Sequence, residues 1–503
     1  MTAATEKNLA LVKETMTTAQ RYAHAAGVLN FDMETICPSA AMEKLGEITA
    51  FFSTEAYKLV KQDAFIKAAE AIYEAREELP FLDRMMAESL HREYQKIKNI
   101  TPEQSYEWDV ARNKSYADWV RAKQAEDYGI FLPSLTKIRE IELAQVALRE
   151  DKWPIPYEAM LDNYERGITV ADLDETFGKC KDRLLPFLEK IKVSGKQIRT
   201  DFLSRTVPAE PQRQMAQYLL ETIGYDFTRG AFTTTEHPFT SDIAVDDIRV
   251  TTHYYENAFT SSVYSIIHEG GHALFAQLQP RENFEHFIDQ EITMGQHESV
   301  SRFYENRIGR SRAFISLIYP KMKELFAGAL DDVTQEELYE GVNQVHPSLI
   351  RVEADEYTYT LHIIIRYELE KEIVAGTLSL EDAPRRWEEK YEEYLGVRPS
   401  KLSEGVLQDV HWSFGFGYFP NYALGNMYNG MYYNRMKNEI DIDTAVRAGD
   451  FTKINGWMAE NVFAKANYET PKEWIRNITG REFTPDDFLD YLEGKYGELY
   501  GID

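Results

Sequence analysis

Five consecutive residues, His268, Glu269, Gly270, Gly271 and His272, carry the most specific chemistry in this 503-residue chain. They lie in SSVYSIIHEGGHALFAQLQP, where Ile266, Ile267, Leu274, Phe275 and Leu278 recur at helical spacing and Pro280 ends the pattern. Residues four apart stack on one face of a helix, so His268 and His272 can aim two imidazole nitrogens at one ion. Glu269 projects roughly 100° away, at about 3.6 residues per turn, which sets its carboxylate beside that ion and not on it. Zinc held in this way lowers the pKa of its water from roughly 16 to about 7, and a neighbouring carboxylate can take the proton as attack begins. That chemistry is hydrolysis of an amide bond. Each glycine costs about 1 kcal/mol relative to alanine inside a helix. The pair is therefore expected where metal, water and substrate backbone approach closely.

A catalytic zinc site takes three protein ligands and keeps one position open. MGQHESVSRFYENRIG (Met294 to Gly309), read as a helix, offers His297, Glu298 and Glu305. Spacing alone allows any of the three. Glu298 is attractive because two imidazoles and one carboxylate leave the zinc a net positive Lewis acid. Residues 346 to 370, HPSLIRVEADEYTYTLHIIIRYELE, read as one long buried helix after Pro347, with Arg351 followed closely by Glu353, Asp355 and Glu356. A buried charge needs a partner. Arg351 either pairs with one of these acids or grips a substrate carboxylate with its two-pronged guanidinium. The acids would in the second case be free to orient zinc-binding imidazoles. Residues 405 to 428, GVLQDVHWSFGFGYFPNYALGNMY, are dense in Gly and aromatics and read as a pocket wall. His411, Tyr418 or Tyr422 there can donate to the negative charge that develops on a carbonyl oxygen.

The elements that must position these residues are mostly helical. The first 200 residues repeat amphipathic stripes, such as Leu9, Val12, Met16, Ala19, Ala23 and Val28, with breaks expected at Pro38, Pro80, Pro102, Pro133, Pro154 and Pro156. The texture changes once, from about 225 to 257, where β-branched and aromatic residues predict a small antiparallel sheet with turns near Gly230 and Asp246-Asp247. An edge strand just before the histidine helix can align an extended peptide through main-chain hydrogen bonds. The last 70 residues read as ordinary helices. No repeat or flexible linker divides the chain, so residues 1–503 are expected to form one domain.

With 44% hydrophobic and 28% charged residues the composition suits a chain with a large core. A formal charge of −27 and no basic patch argue against nucleic acid or an anionic membrane as partner. The N-terminus lacks the apolar core of a signal peptide, and no run approaches the ~18 apolar residues that cross a bilayer. Cys37 and Cys180 stand in no metal-ligand spacing and are expected as buried thiols, which points to the cytoplasm.

With these residues in view, the chain resembles the thermostable carboxypeptidase family of metallocarboxypeptidases, peptidase family M32. Five motifs match in order: His237-Pro238-Phe239; D-x-R-x-T at Asp247, Arg249 and Thr251; HEGGH; His297-Glu298-Ser299; and I-R-x-x-A-D at Ile350, Arg351, Ala354 and Asp355. A sixth, G-x-x-Q-D-x-H-W, is matched by Gly405, Gln408, Asp409, His411 and Trp412. The family usually has Gln after His-Glu-Ser, where this chain has Val300; that position is not a ligand. The resemblance implies a mainly α, two-lobed body with a deep groove, like the neurolysin and angiotensin-converting-enzyme folds, usually a homodimer. It implies that His268, His272 and Glu298 hold the metal and that Glu269 is the base. Arg351 would hold the substrate's terminal carboxylate, Arg249 and His237 would line the groove, and His411 with Tyr418 or Tyr422 would steady the oxyanion. Members use zinc, and some work best with cobalt. The function so implied is removal of the C-terminal residue from peptides. The rivals are an oligo-endopeptidase on the same fold and a metal-containing peptide-binding scaffold.

Overall fold

Between its prolines the first part of the chain is rich in Ala, Leu, Glu and Lys, and in the computed structural model, which describes residues 1–502, these stretches are helices. Helix α1 (Ala3–Thr35) starts at Thr2, whose hydroxyl accepts the Thr5 N–H. Leu9 and Val12 sit in a small apolar cluster with Phe65, Ile72 and Met86. Ala23, expected on the same buried stripe, is exposed, because the second half of α1 leaves this cluster and borders a surface groove. Pro133 does not break the chain: it lies inside the helix Tyr128–Leu148, where burial of Phe131, Leu135 and Ile138 offsets the one lost backbone bond. Cys180 is buried as expected, whereas Cys37 is only half-buried. No helix among the described residues is long and apolar enough to cross a membrane.

The sheet has three strands, β1 (Gly230–Thr234), β2 (Thr240–Ala244) and β3 (Asp247–Thr252), in the order β1-β3-β2. Its expected antiparallel character holds only for β2 and β3, a tight hairpin with Thr240 opposite Val250. β1 runs parallel to β3, with Gly230 opposite Ile248, so the sheet is mixed. The reason lies in the connection that carries His237, Pro238 and Phe239. It takes the chain past β3 and sets β2 on the far side, leaving β2 at an edge. Thr251 fastens that connection: its hydroxyl accepts from the Phe239 N–H at 2.8 Å, and its own N–H donates to the Phe239 carbonyl at 2.8 Å.

Ile248 and Val250 of β3 belong to the large main core, which also takes in the apolar face of α3 (Phe259–Leu278) and the helix α2 (Ala209–Ile223) beneath it. The two helix glycines have a different cause from the one expected. A Cβ at Gly270 would stand 2.6 Å from Ile223 Cδ1, and one at Gly271 would stand 2.8 Å from Ser301 Cα and 3.1 Å from the Val300 carbonyl oxygen. They let α2 and α4 (Met294–Arg302) press against α3 on its buried side. After Arg302 the helix widens into a π turn, Phe303–Ile308, rather than running on regularly to Gly309. Such turns recur at functional sites.

The long helix expected over residues 346 to 370 is also divided. Arg351–Glu353 is a single 3₁₀ turn and α5 begins only at Tyr359, running to Ala375. Asp355 explains the gap. Its carboxylate accepts from the Thr358 N–H and hydroxyl and from the His346 N–H, a local turn that competes with helix. Helix α6 (Pro420–Met436) then crosses α4, where Gly425 lies so near the Ser299 N–H and Glu298 backbone that a Cβ would meet them at 2.9 and 3.0 Å.

Candidate functional site

His268 and His272 point from one face of α3 toward α4, and Glu298 of α4 points back. Glu298 Oε2 lies 3.7 Å from the Nε2 of each imidazole. One ligand atom from each of the three residues falls within 4.8 Å of the others. Tetrahedral zinc with bonds of about 2.0–2.2 Å needs its ligands roughly 3.4 Å apart, so two neutral nitrogens and one carboxylate oxygen at this spacing fit a divalent ion. The other two candidates on this segment stand behind the imidazoles. Glu305 Oε2 is 2.9 Å from His268 Nδ1, and His297 Nδ1 is 2.6 Å from His272 Nδ1. With each Nδ1 engaged, each Nε2 is left for the ion. Burial pushes His297 down to about 4, so it meets His272 as a neutral ring.

Arg302 completes the support. Its Nε donates to Glu298 Oε1 at 2.7 Å and its Nη1 to Glu305 Oε2 at 3.1 Å, so one guanidinium fixes both carboxylates. It also lies 4.3 Å over the Tyr359 ring. Sequence reasoning missed Arg302, although its place four residues after Glu298 and three before Glu305 was a signal.

Glu269 faces a cavity of about 520 Å³ whose wall includes Thr240, His272, Glu298, Tyr418 and Tyr422. Its Oε2 accepts from the Thr240 hydroxyl at 2.8 Å, and the same hydroxyl lies 2.8 Å from the Glu269 carbonyl oxygen. Burial raises the pKa of Glu269 while the charge of His268 opposes the rise. Thr240 opens β2, so the edge strand and the carboxylate are in direct contact. Nothing in the sequence singled out Thr240 beyond its following His237-Pro238-Phe239.

Across the cavity, His411 Nε2 lies 3.3 Å from the Tyr422 hydroxyl, and the Tyr418 and Tyr422 rings sit 5.4 Å apart, edge to face. Both tyrosines line the cavity. Burial, ahead of the Asp409 charge that favours protonation, brings His411 down to about 4. Arg351 is buried behind this wall, its guanidinium 4.9 Å over the Tyr422 ring. Its ionic partner is none of the acids that follow it. Nη2 donates to Asp409 Oδ1 at 2.7 Å, Nε to the same oxygen at 3.1 Å, and Nη1 to the Tyr359 hydroxyl at 3.2 Å. The described residues leave two of its five N–H donors unused. Arg366 holds the other Asp409 oxygen at 2.6 Å, and the two arginines keep Asp409 far below the usual carboxylate range despite burial. Glu356 meets Tyr491 and Lys495 instead of an imidazole.

His237 and Arg249 do not join the cavity wall. His237 is exposed, and its carbonyl accepts from the Thr235 hydroxyl at 2.6 Å. Arg249 pairs with Asp247 at 2.7 and 2.8 Å and lies 5.0 Å over the Phe31 ring of α1.

Residues 11–496 match the family model described as Carboxypeptidase Taq (M32) metallopeptidase. The chain is 35% identical over 484 residues to Carboxypeptidase 1 of Bacillus subtilis, covering 95% of this chain and 96% of that one. It is 38% identical over 418 residues to Thermostable carboxypeptidase 1 of Thermus thermophilus, covering 81% of this chain and 82% of the other. Among solved structures, the M32 carboxypeptidase of Deinococcus radiodurans superposes with a TM-score of 0.94 at 32% identity, over 98% of this chain and 100% of that one.

Proposed function

The chain belongs to the Carboxypeptidase Taq (M32) metallopeptidase family, and from that premise we propose that the cavity beside α3 is where it removes the C-terminal residue of a peptide. The observation that carries this reading is the convergence of His268 Nε2, His272 Nε2 and Glu298 Oε2 beside a cavity whose wall holds His272, Glu298 and the Glu269 carboxylate. His268, His272 and Glu298 would hold the divalent ion, zinc by the affinity of this borderline acid for two imidazole nitrogens and one carboxylate, with cobalt accepted by the same donors. When bound, the ion supplies Lewis-acid polarisation of the scissile carbonyl and acidifies water.

The rest of the chemistry belongs to side chains. Glu269 takes a proton from the attacking water and returns it to the leaving amine. The Thr240 hydroxyl serves both states of that carboxyl: it donates to the ionised form and can turn to the Glu269 carbonyl when the acid is protonated. Tyr418 or Tyr422, backed by His411, donates to the developing oxyanion. Arg351 has two unused N–H groups and sits behind Tyr422, the position from which it would draw the substrate's free carboxylate. Arg249 and His237 act at one remove, by holding the sheet and its connection. The whole chain acts as one catalytic domain, its smaller α1 cluster and its main core forming two lobes beside the groove. Residence in the cytoplasm and a homodimeric state complete the proposal.

Peptides with free and amidated C-termini test it, assayed by amino-acid release with the zinc-loaded protein. The free form should be turned over far faster. Equal turnover of both, with internal fragments appearing, would make the enzyme an endopeptidase. Glu269→Gln should keep its metal and lose nearly all activity; a variant that binds metal and cleaves normally would remove the base assignment.

A further inference from the structure

β2 does not end at the catalytic cavity. That cavity is lined by Thr240, Ser241 and Asp242, while a groove of about 680 Å³ between β2 and α1 is lined by residues 241–245 together with Arg21, Ala23 and His24. Ser241, Asp242 and Gln290 line both, so the two spaces join along the strand.

The strand is built to be paired on that side. Among the described residues its one sheet partner is β3. The Phe239 carbonyl accepts from the Thr251 N–H, and Ser241 faces Arg249 two residues on, so ladder bonds fall on Phe239 and Ser241. By the alternation of antiparallel ladders, the backbone groups of Thr240 and Asp242 point to the open edge. Polarity follows. A peptide lying antiparallel to β2 puts its C-terminal end beside Thr240 and Glu269 and its upstream residues in the α1 groove, which is the direction a carboxypeptidase needs. A parallel one would present its N-terminus to Glu269.

At the junction stands a carboxylate without a cation. Gln290 Nε2 donates to Asp242 Oδ2 at 3.1 Å and to Asp289 Oδ2 at 3.2 Å, holding the two acids together. Asp242 Oδ1 is buried and takes no hydrogen bond from the described residues. Neither acid has an ion-pair partner among the described residues; burial, then the charge of Asp289, pushes Asp242 up to about 7. Arg21 and His24 face the same groove from α1 and stay clear of both carboxylates.

We propose that the substrate chain upstream of the scissile bond runs antiparallel to β2 into the groove against α1, and that Asp242 receives a lysine or arginine side chain of that chain. The proposal rests on the carboxypeptidase reading above and names its upstream specificity. Two residues of strand separate Asp242 from Thr240, about 7 Å, which sets the basic side chain two to four residues before the scissile bond.

Hexapeptides sharing one C-terminal dipeptide, with lysine or neutral norleucine placed second, third or fourth before the scissile bond, decide it. With zinc-loaded wild-type enzyme, one position should favour lysine by roughly tenfold in kcat/KM, the scale of one charge-assisted hydrogen bond. Asp242→Asn should bring that ratio to about one. Ala23→Trp, at an exposed position on α1, should lower the advantage of hexapeptides over blocked dipeptides. Calorimetric affinities of the same peptides for zinc-loaded Glu269→Gln should rank identically, a readout that does not need turnover. No lysine preference at any position, or one that persists in Asp242→Asn, overturns the proposal. Failure to release a C-terminal residue from any peptide would instead overturn the carboxypeptidase reading itself, while the affinities would still judge the groove.

Discussion

Gly270 and Gly271 are neighbours of the same type, yet the structure predicts opposite outcomes for the same substitution. An alanine Cβ at 271 would stand 2.8 Å from Ser301 Cα and 3.1 Å from the Val300 carbonyl oxygen, both backbone atoms of α4. Ordinary contact begins at 3.4 Å, so α4 must retreat by about 0.6 Å. Over-packing of this kind costs about 1–3 kcal/mol, against about 1 kcal/mol gained by replacing a mid-helix glycine with alanine. Gly271→Ala should therefore be destabilised by about 0–2 kcal/mol. Its larger effect falls on the site, because α3 carries His268 and His272 while α4 carries Glu298. Metal sites tolerate only about 0.2 Å in ligand distance, and disturbances behind the ligands typically cost 10–100-fold in affinity. An alanine at 270 meets only the ends of the Ile223 and Leu220 side chains, at 2.6 and 3.0 Å, which can swing aside. Gly270→Ala should keep metal affinity within a few-fold of wild type and unfold at a similar or higher denaturant concentration. Zinc competition with a chromogenic chelator, paired with guanidinium unfolding of the apo-proteins, measures both effects. If Gly271→Ala binds zinc as tightly as Gly270→Ala, the close approach of α4 is not what these glycines serve, and the packing argument fails.

Glu305→Gln leaves a neutral acceptor at 2.9 Å from His268 Nδ1 and strips Arg302 of one of its two carboxylates; zinc affinity should fall about 10–100-fold in the same competition assay. Thr240→Val should lower kcat by more than it raises KM, because the lost hydroxyl touches the base and not the ions' ligands, whereas Thr240→Ser should restore most of the rate. Unaltered kcat in Thr240→Val would show that Glu269 needs no such support. Glu165 gives a pH prediction: burial raises its pKa from 4.5 to about 7, although the Tyr428 hydroxyl and Gly295 N–H both donate to it. A carboxyl whose folded pKa is raised stabilises the protein fully below about 4.5 and loses that contribution as pH rises through 7. Unfolding midpoints of wild type should thus fall between pH 5 and pH 8 relative to those of Glu165→Gln, and parallel pH profiles would contradict the assignment.

What could be read from the chain alone was what one helix turn contains. His268 and His272 need only a spacing of four and an apolar stripe, and both are local. The third member of the cluster needs α3 and α4 to cross, which depends on Gly271 and on Gly425 of α6, and no spacing within residues 294–309 encodes it. Hence spacing alone leaves Glu298, His297 and Glu305 open, although they end in three different places. Arg351 fails for the same reason: its acid is Asp409, 58 residues away, and the nearer acids were spent on turns and on other helices. The buried run Leu361–Ile365 is helix as its hydropathy predicts, but the helix starts only at Tyr359, because Asp355 forms a side-chain turn that hydropathy does not register.

Some motif residues frame the site instead of lining it. Thr251 of one motif holds Phe239 of another, and Gln408 Oε1 accepts the Arg351 N–H while Asp409 takes its guanidinium, so two pairs of motifs distant in sequence are single units in space. Polar residues with such jobs carry a charge, a hydroxyl or an amide, since these groups can satisfy buried backbone and one another. A motif residue's polarity is thus consistent with chemistry or with carpentry, and what separates them is whether the side chain borders open space or is closed on a partner. Glu269, Tyr418 and Tyr422 meet that condition at the catalytic cavity by lining it. Arg249, closed on Asp247, does not. Asp242, which no motif contains, carries the buried unpaired oxygen at the mouth of the groove, and the same criterion that demotes Arg249 singles it out.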